Sequence, residues 1–155
     1  MKTKEKYWLI KSEESDYSID DLKRDGKTPW AGVRNFQARN SMRDDMKIGN
    51  RVIFWHSGGK PIGAAGIGKV VSKAYPDPTQ FDKKSRYYEP RAKKEKPVWF
   101  LVDVGFVKKF KRTVAIEEIR KNHKLKGMIT LCPGSRLSIT PLTKKEFETM
   151  QKLGV

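Results

Sequence analysis

The sequence has a single cysteine, Cys132, and only two histidines, His56 and His123, among its 155 residues. One thiol excludes an internal disulfide framework and any zinc site built from several thiolates. Neither histidine stands at a metal-ligand spacing from a second ligand residue. We therefore expect no metal site and a protein that works in a reducing compartment.

Long apolar runs are also missing. No stretch approaches the roughly 20 apolar residues that span a bilayer, and MKTKEKYW at the N-terminus lacks the apolar segment of a signal peptide. These absences predict a protein without a membrane partner, located in the cytoplasm, or in the nucleus of a eukaryotic cell, where nucleic acid is accessible.

Motifs for nucleotide cofactors or catalysis are not recognisable. GAAGIG, from Gly63, lacks the G-x-G-x-x-G spacing of a dinucleotide loop, and SGGKP, from Ser57, lacks the spacing and helix of a phosphate loop. No two carboxylates lie in settings that would separate their pKa values. We predict neither a cofactor nor a catalytic centre. A base-modifying enzyme that uses Cys132 or Arg136 is the alternative ranked last, because no partner for proton transfer is visible.

Basic residues, in contrast, are abundant: 34 Lys and Arg stand against 18 Asp and Glu, for a formal charge of +16. This excess favours a polyanionic partner such as DNA or RNA, although it can also serve solubility alone. Many of the basic residues lie in a proline-containing insertion between Pro76 and Pro97, interleaved with Tyr87 and Tyr88. Such a segment is either a phosphate and base contact or a solvated loop. The candidate phosphate-binding residues are Lys83, Lys84, Arg86, Arg91, Lys93 and Lys94.

The first half of the chain predicts strands with short helices between them. KYWLIK, from Lys6, has the composition of a strand, and Ser18 begins a short helix that ends near Gly26. VRNFQARNSMRDDM, from Val33, is predicted to form one helix. RVIFWHS, GGKP and IGAAGIGKVVSKAY then predict a hairpin.

The second half predicts the remaining elements of one domain over residues 1–155. VWFLVDVGFV is predicted as a strand that turns into another strand around Phe110. A short helix over 115–122, a closing strand in SRLSITPL and a C-terminal helix capped by Thr143 follow. Strands of unequal length with inserted helices predict an α+β fold with a compact barrel, and argue against a doubly wound parallel sheet. A barrel of this size has room for one small ligand at its mouth.

The stretch WAGVRNFQARN, Trp30 to Asn40, mixes apolar and polar side chains without gathering either on one helical face. A buried amide without a partner costs on the order of 1–3 kcal/mol, so these polar groups need a partner in the protein or in a ligand. Trp30, between Pro29 and Gly32, is either a plug of the core or one wall of a slot for a stacked base.

These segments resemble the EVE domain family of the PUA-like superfamily, which is similar to the YTH and SRA readers of modified bases. The resemblance covers nearly the whole chain. Four segments carry it: YWLIKSE from Tyr7, WAGVRNFQARN from Trp30, GNRVIFWHS from Gly49 and GSRLSITPL from Gly134. The sequence departs from the family pattern at Glu14, where proline is usual, and at Asn50, where aspartate is usual.

The resemblance implies a PUA-like mixed β-barrel with short inserted helices and a ligand cavity. It also implies recognition of a modified cytosine or adenine without turnover. Carried over position by position, the cavity would be lined by Ser12, Trp30, Val33, Arg34, Asn35, Ser57, Arg136, Leu137 and Ser138.

The leading hypothesis is a non-catalytic, nucleic-acid-binding domain, expected to be a monomer, that draws one modified base out of its strand and stacks it on Trp30. The alternative keeps the fold but binds structured RNA. The sequence does not distinguish DNA from RNA as the partner.

Overall fold

The structure, a computed structural model, describes residues 5–132 and 137–155. Its strands and helices follow in chain order as β1 (Tyr7–Ser12), α1 (Ile19–Asp25), β2 (Lys27–Pro29), α2 (Phe36–Asn40), β3 (Arg51–His56), β4 (Gly63–Val70), β5 (Tyr75–Pro76), β6 (Phe100–Leu101), β7 (Asp103–Ala115), α3 (Ile116–Lys121), β8 (Ile139–Leu142) and α4 (Lys144–Gly154). A π-helical turn, Ser41–Asp45, continues α2, and 3-10 turns lie at Pro78–Phe81 and Ile129–Leu131.

Six strands form one sheet in the order β2-β7-β4-β3-β1-β8, curled into a half-barrel, and β5 pairs with β6 separately. The pairing of β1 with β3 is parallel, and the other pairings are antiparallel. The predicted α+β class with a mixed, curled sheet and short inserted helices is confirmed.

The central strands β1, β3 and β4 are buried on both faces. Along β1, Trp8 and Ile10 belong to one apolar cluster, whereas Tyr7 and Leu9 belong to another. This is the alternation that a strand imposes on successive side chains. Both faces of β1 are covered by other elements, which explains why the strand is almost continuously apolar in sequence.

The predicted helix signals at Ser18 and Thr143 are confirmed. Each residue forms a capping box: Ser18 with Asp21 at the start of α1, and Thr143 with Glu146 at the start of α4. These reciprocal bonds satisfy backbone N–H groups that otherwise lack partners in the first turn. In the described parts of the chain, no helix is long and apolar enough to cross a membrane.

Several predicted boundaries are wrong. The strand predicted over IGAAGIGKVVSKAY ends at Val70, and VWFLVDVGFV is divided between β6 and β7. The helix predicted from Val33 begins only at Phe36, because Asn35 adopts an extended conformation and its side chain accepts a hydrogen bond from the N–H of Ala38, so that it caps α2. The turn predicted before Phe110 is absent, because β7 is one strand of 13 residues that continues through this position. Register shifts opposite Gly66 and Gly68 of β4 accommodate this long strand.

Candidate functional site

A cavity of about 470 Å³ lies where the end of β1 meets the segment that joins β2 to α2. Its volume lies within the range of pockets that enclose small organic ligands. The lining residues are Lys11, Ser12, Glu13, Asp16, Tyr17, Thr28, Pro29, Trp30, Ala31, Gly32, Val33, Arg34, Arg86, Tyr87 and Ser138.

Trp30 is part of the core and of the cavity wall at the same time. Its side chain packs edge-on against Phe54 with ring centroids 5.6 Å apart, and its backbone N–H donates to the carbonyl of Val102 at 3.0 Å. Only 9% of the residue is exposed, yet it borders the cavity. The two interpretations of this tryptophan are therefore compatible: most of the indole stabilises the core, and the remainder faces the cavity.

The ring of Tyr87 closes the cavity from the basic insertion, and its position depends on Gly32. A Cβ atom at position 32 would lie 2.7 Å from two atoms of the Tyr87 ring, which is too close for any other residue without a displacement. Gly32 also has a φ of +83°, a conformation that favours glycine. Both constraints make glycine the fitting residue between Trp30 and Arg34.

Arg34 clamps the insertion onto this segment. Its Nη1 donates to the carbonyl of Val33 at 3.0 Å and to Asp77 at 3.1 Å. Its Nη2 donates to Thr79 at 3.1 Å and to the carbonyl of Tyr87 at 2.7 Å. The four N–H bonds of the two terminal nitrogens are thus committed to protein acceptors. Arg34 therefore lines the cavity, as the resemblance implies, and positions Tyr87.

Asp77 is the buried counterpart of this clamp, with an exposure of 1%. Its carboxylate accepts hydrogen bonds from Arg34, from the N–H of Gly32 and from Thr79. Burial alone would raise the pKa of Asp77, but the hydrogen bonds from Thr79, Gly32 and Arg34 outweigh it, so the pKa lies below its ordinary value. Asp77 therefore stays ionised and holds the cavity segment.

Acidic, basic and hydroxyl groups converge on the rest of the cavity. Lys11 is half-buried, and burial lowers the pKa of its ammonium group. Ser12 donates to the carbonyl of Tyr17 at 2.7 Å, and Tyr17 donates to Asp25 at 2.8 Å. Burial and that bond to Asp25 raise the pKa of Tyr17 to about 12, so its phenol stays neutral. Glu13, Asp16, Thr28 and Ser138 complete the polar lining.

Five of the nine predicted cavity residues line it: Ser12, Trp30, Val33, Arg34 and Ser138. Asn35, Ser57 and Leu137 are not among the lining residues. Asn35 instead caps α2, and the backbone N–H of Ser57 donates to the carbonyl of Ser12, which fixes the end of β1. Arg136 lies outside the described residues.

The six predicted phosphate-binding residues are all exposed on the insertion: Lys83, Lys84, Arg86, Arg91, Lys93 and Lys94. Arg86 reaches the cavity, where its guanidinium donates to the Tyr87 hydroxyl at 2.6 Å and stacks over that ring at 4.8 Å. Arg91 forms a two-pronged ion pair with Glu89, so part of its charge is neutralised. Bonds from Arg91 lower the pKa of Glu89 to about 2.

His56 has a structural role. Its Nε2 accepts the backbone N–H of Ile19 at 3.1 Å, at the start of α1, and its ring is buried. Burial lowers the pKa of His56, which keeps the imidazole neutral. Cys132 is exposed. Within residues 5–132 and 137–155, no three His, Cys, Asp or Glu side chains are grouped to hold a metal ion.

Several lining residues were not found from the sequence: Lys11, Glu13, Asp16, Tyr17, Thr28, Pro29, Ala31 and Gly32. Lys11 and Glu13 flank Ser12 in the YWLIKSE segment, so adjacency to a predicted lining residue was the available signal. Tyr87 appeared in the sequence as a stacking candidate of the insertion. Its contact with Gly32 joins residues far apart in the chain, and no local pattern announces it.

The model of the EVE domain matches residues 6–153. The chain belongs to the EVE domain family. This EVE domain is 41% identical to human thymocyte nuclear protein 1 (THYN1), over 99% of this chain and 76% of that protein.

Solved structures agree with this membership. A Pseudomonas syringae protein, known from a crystal structure, is 42% identical in sequence over 96% of this chain and 99% of that chain. The two structures superpose with a TM-score of 0.91. Human THYN1, in complex with DNA that contains 5-methylcytosine, is 41% identical over 96% of this EVE domain and 97% of that chain, with a TM-score of 0.86. A YTH domain from Zygosaccharomyces rouxii, 12% identical with a TM-score of 0.57, shares the fold.

The two departures from the family pattern have clear positions. Asn50 is buried, and its side-chain oxygen accepts from the indole N–H of Trp8 at 3.1 Å and from the N–H of Lys47 at 3.0 Å. A carboxylate oxygen would accept the same two bonds, so asparagine replaces aspartate there without losing them. Glu14 is about half exposed and lies 4.0 Å from Nδ1 of His56, beside the cavity end of β1.

Proposed function

We propose that this EVE domain binds DNA that carries a modified cytosine and encloses that one base in the 470 Å³ cavity, without chemical turnover. The observation that supports the proposal most is the cavity between Trp30 and Tyr87, surrounded by hydrogen-bonding groups. The complex of human THYN1 with 5-methylcytosine DNA supports the choice of partner, because THYN1 and this chain share 41% of their residues.

Aromatic contact would provide the affinity for the base. Stacking of a base on an aromatic side chain contributes about 1–3 kcal/mol and tolerates any base, since every base has a π face. Tyr87 is the better placed wall, because its ring is half-buried, whereas most of Trp30 belongs to the core. The modified base must leave its own stack to enter, at a cost of a few kcal/mol.

Polar lining groups would provide the selectivity. Cytosine offers an amino donor at N4, which the carboxylates of Glu13 and Asp16 can accept. Its ring also carries acceptors, which can receive bonds from the ammonium group of Lys11. Thymine carries a keto oxygen in place of the amino group, and a carboxylate repels it. This arrangement favours an amino base over thymine.

The exposed lysines of the insertion would hold the phosphates beside the cavity. Lys83, Lys84, Lys93 and Lys94 are exposed, and Arg86 joins the insertion to the cavity wall. Each neutralised phosphate releases counterions, so the affinity should fall steeply with salt. These contacts carry no sequence information and serve to position the strand.

Binding without turnover agrees with the surroundings of His56 and Cys132. The Nε2 lone pair of His56 is used as an acceptor for the N–H of Ile19, so it is not available as a general base. Cys132 lies exposed after the 3-10 turn Ile129–Leu131 and is not among the residues that line the cavity.

The test is a fluorescence titration with matched oligonucleotides that differ only in one base, cytosine or 5-methylcytosine, in single-stranded, duplex and RNA forms. Wild-type protein should bind the 5-methylcytosine DNA more tightly than plain DNA. The Tyr87→Leu variant should lose roughly 5- to 100-fold in affinity for the modified strand, since an aliphatic side chain cannot stack in the same way.

Tyr88→Leu is the matched control, because Tyr88 is the next residue and does not line the cavity. It should bind like the wild type. Equal affinity of the wild-type protein for modified and plain strands of every form would contradict the proposal. Preference for the RNA form, set by the 2′-hydroxyl, would replace DNA by RNA as the partner.

A further inference from the structure

A continuous series of aromatic and guanidinium groups leads from the cavity to the outer surface. Arg86 and Arg34 lie over the Tyr87 ring at 4.8 and 5.2 Å, and Arg34 also lies over Trp99 at 5.1 Å. Trp99 stacks on Phe36 with centroids 4.8 Å apart and planes inclined by 18°. Arg39 completes the series 4.7 Å from the Phe36 ring. We call these six residues the aromatic ladder.

Phe36, near the outer end of the ladder, is unusual because 49% of it is exposed. A single exposed apolar side chain is common at a protein surface, but this one is also held between an aromatic ring and a guanidinium group. Contact with Trp99 orients the ring, and Trp99 is itself fixed by backbone bonds to the buried amide of Gln80. The exposed ring is therefore held in place before any partner arrives.

Arg39 is equally well ordered beside that ring. Its Nη1 donates to the carbonyl of Val98 at 2.9 Å, and its Nε and Nη2 donate to the side chain of Asn40 at 3.1 and 2.8 Å. Arg43 follows on the adjoining π-helical turn, where its Nε and Nη2 donate to Asp44 at 2.9 and 3.0 Å, so part of its charge is neutralised. An exposed aromatic ring next to guanidinium groups is the chemistry of a site for a nucleobase and its phosphate.

We propose that Phe36 and Arg39 form a second base-stacking site, for a nucleotide that neighbours the enclosed base on the same strand. Because Trp99 and Arg39 both lie over the Phe36 ring, the base would stack on the guanidinium plane of Arg39, which Phe36 supports. Its location rests on the proposed function, because the ladder links it to the cavity wall. Only three contacts of 4.8–5.2 Å separate the rings of Tyr87 and Phe36, a distance that a few nucleotides cover. The guanidinium groups favour a strand of nucleic acid over an apolar protein segment as the occupant.

The experiment compares two single-stranded DNA oligonucleotides with the same central 5-methylcytosine, a 12-mer that reaches Phe36 and a trimer that fills only the cavity. Phe36→Ala should weaken binding of the 12-mer by roughly 5- to 100-fold and leave the trimer within about twofold of the wild type. Phe36→Tyr should restore the 12-mer affinity. Arg39→Lys keeps the charge but loses the planar group, and should also weaken the 12-mer selectively.

Ile48→Ala is the control for removal of an exposed apolar side chain, since Ile48 is 60% exposed. It should bind both oligonucleotides like the wild type. Unchanged affinity of Phe36→Ala for the 12-mer would overturn the second site, as would an equal loss for both lengths. If the wild-type protein fails to discriminate modified from plain cytosine but Phe36→Ala still loses affinity only for the 12-mer, the cavity proposal fails and the second site stands.

Discussion

Single buried polar side chains hold the candidate site in shape. Asp77 joins Gly32, Arg34 and Thr79 around one carboxylate, and Gln80 uses both ends of its buried amide on the backbone around Trp99. Such fully bonded groups specify one arrangement of the surrounding loops, because each bond left unmade inside the protein is costly. The insertion is therefore attached to the half-barrel by polar contacts as well as by packing.

Replacing Asp77 by Asn should lower the free energy of unfolding by about 2–4 kcal/mol. The change removes a buried charge opposite Arg34 and places an amide N–H₂ among groups that donate. Urea unfolding measures the effect. Asp82→Asn, an exposed position in the same insertion, is the control and should change stability little. A loss at Asp77 no larger than that at Asp82 would contradict the role assigned to the buried carboxylate.

His56 predicts a pH dependence of stability. Burial depresses its pKa below the ordinary value of 6.5 in the folded protein, so the unfolded chain takes up the proton more readily. The contribution is fully present above pH about 6.5 and is lost as the pH falls through the folded pKa. Urea unfolding of His56→Gln should therefore show a flatter decline between pH about 7.5 and 5 than the wild type.

His123→Gln is the control for this measurement, because His123 is exposed on the surface. It should keep the pH dependence of the wild type. A flatter decline in His123→Gln, with no change in His56→Gln, would contradict the role of His56 and show that His123 causes the pH dependence.

The segment between β2 and α2 is the element on which the cavity depends. Trp30 is fixed to the carbonyl of Val102, Gly32 to Asp77, and Asn35 ends the segment by capping α2. The segment is irregular, but its backbone and side-chain bonds are specific. Its mixed polar and apolar sequence is explained by these contacts: the polar groups face protein partners and the cavity, whereas Trp30 and Ala38 enter the core.

Gly32→Ala should weaken binding of 5-methylcytosine DNA as well as stability. The added methyl group would meet the Tyr87 ring at 2.7 Å and displace this wall of the cavity. Gly26→Ala is the control: its φ of +79° is close to the +83° of Gly32, so both substitutions strain the backbone, but a Cβ at Gly26 meets nothing within 4 Å. An equal loss of binding in both variants would mean that backbone strain, and not Tyr87, is responsible.

Local signals predicted most of the fold. The capping residues Ser18 and Thr143 and the β3–β4 hairpin follow from nearby residues alone. The predicted start of α2 was wrong because Asn35 can stand inside a helix or cap it, and in the structure it caps α2. Long-range contacts, such as that of Arg34 with Asp77, are not visible in local sequence. The same long-range contacts determine the cavity, so the resemblance to a family supplied Ser12 and Ser138, whereas composition and spacing did not.

The charge of the whole molecule is unevenly neutralised. On β7, Lys109 pairs with Asp20 at 2.8 Å and Arg112 pairs with Glu118 at 2.7 Å. The positive charge of the basic run KKFKR, residues 108–112, is therefore partly neutralised. The lysines of the insertion are exposed beside the cavity wall. We therefore expect the insertion to contribute more than β7 to the attraction of a nucleic acid strand, although both contain clustered basic residues.

Replacing Lys83, Lys84, Lys93 and Lys94 by Gln should reduce the dependence of log affinity on log salt concentration, by about 0.7–0.9 for each phosphate that the variant no longer neutralises. The ratio of affinities for modified and plain cytosine should not change, because phosphate contacts carry no base information. Titration at several salt concentrations measures both. Lys124→Gln with Lys126→Gln, away from the insertion, is the control. A smaller salt dependence in the control than in the insertion variant would contradict this assignment.

The most direct test is an NMR measurement on the complex with an oligonucleotide whose 5-methylcytosine carries a ¹³C-labelled methyl group. Enclosure of the base predicts nuclear Overhauser contacts between the base and ring protons of Trp30 and Tyr87, which border the cavity. Contacts from the labelled base only to the exposed lysines of the insertion, with none to these two rings, would contradict it.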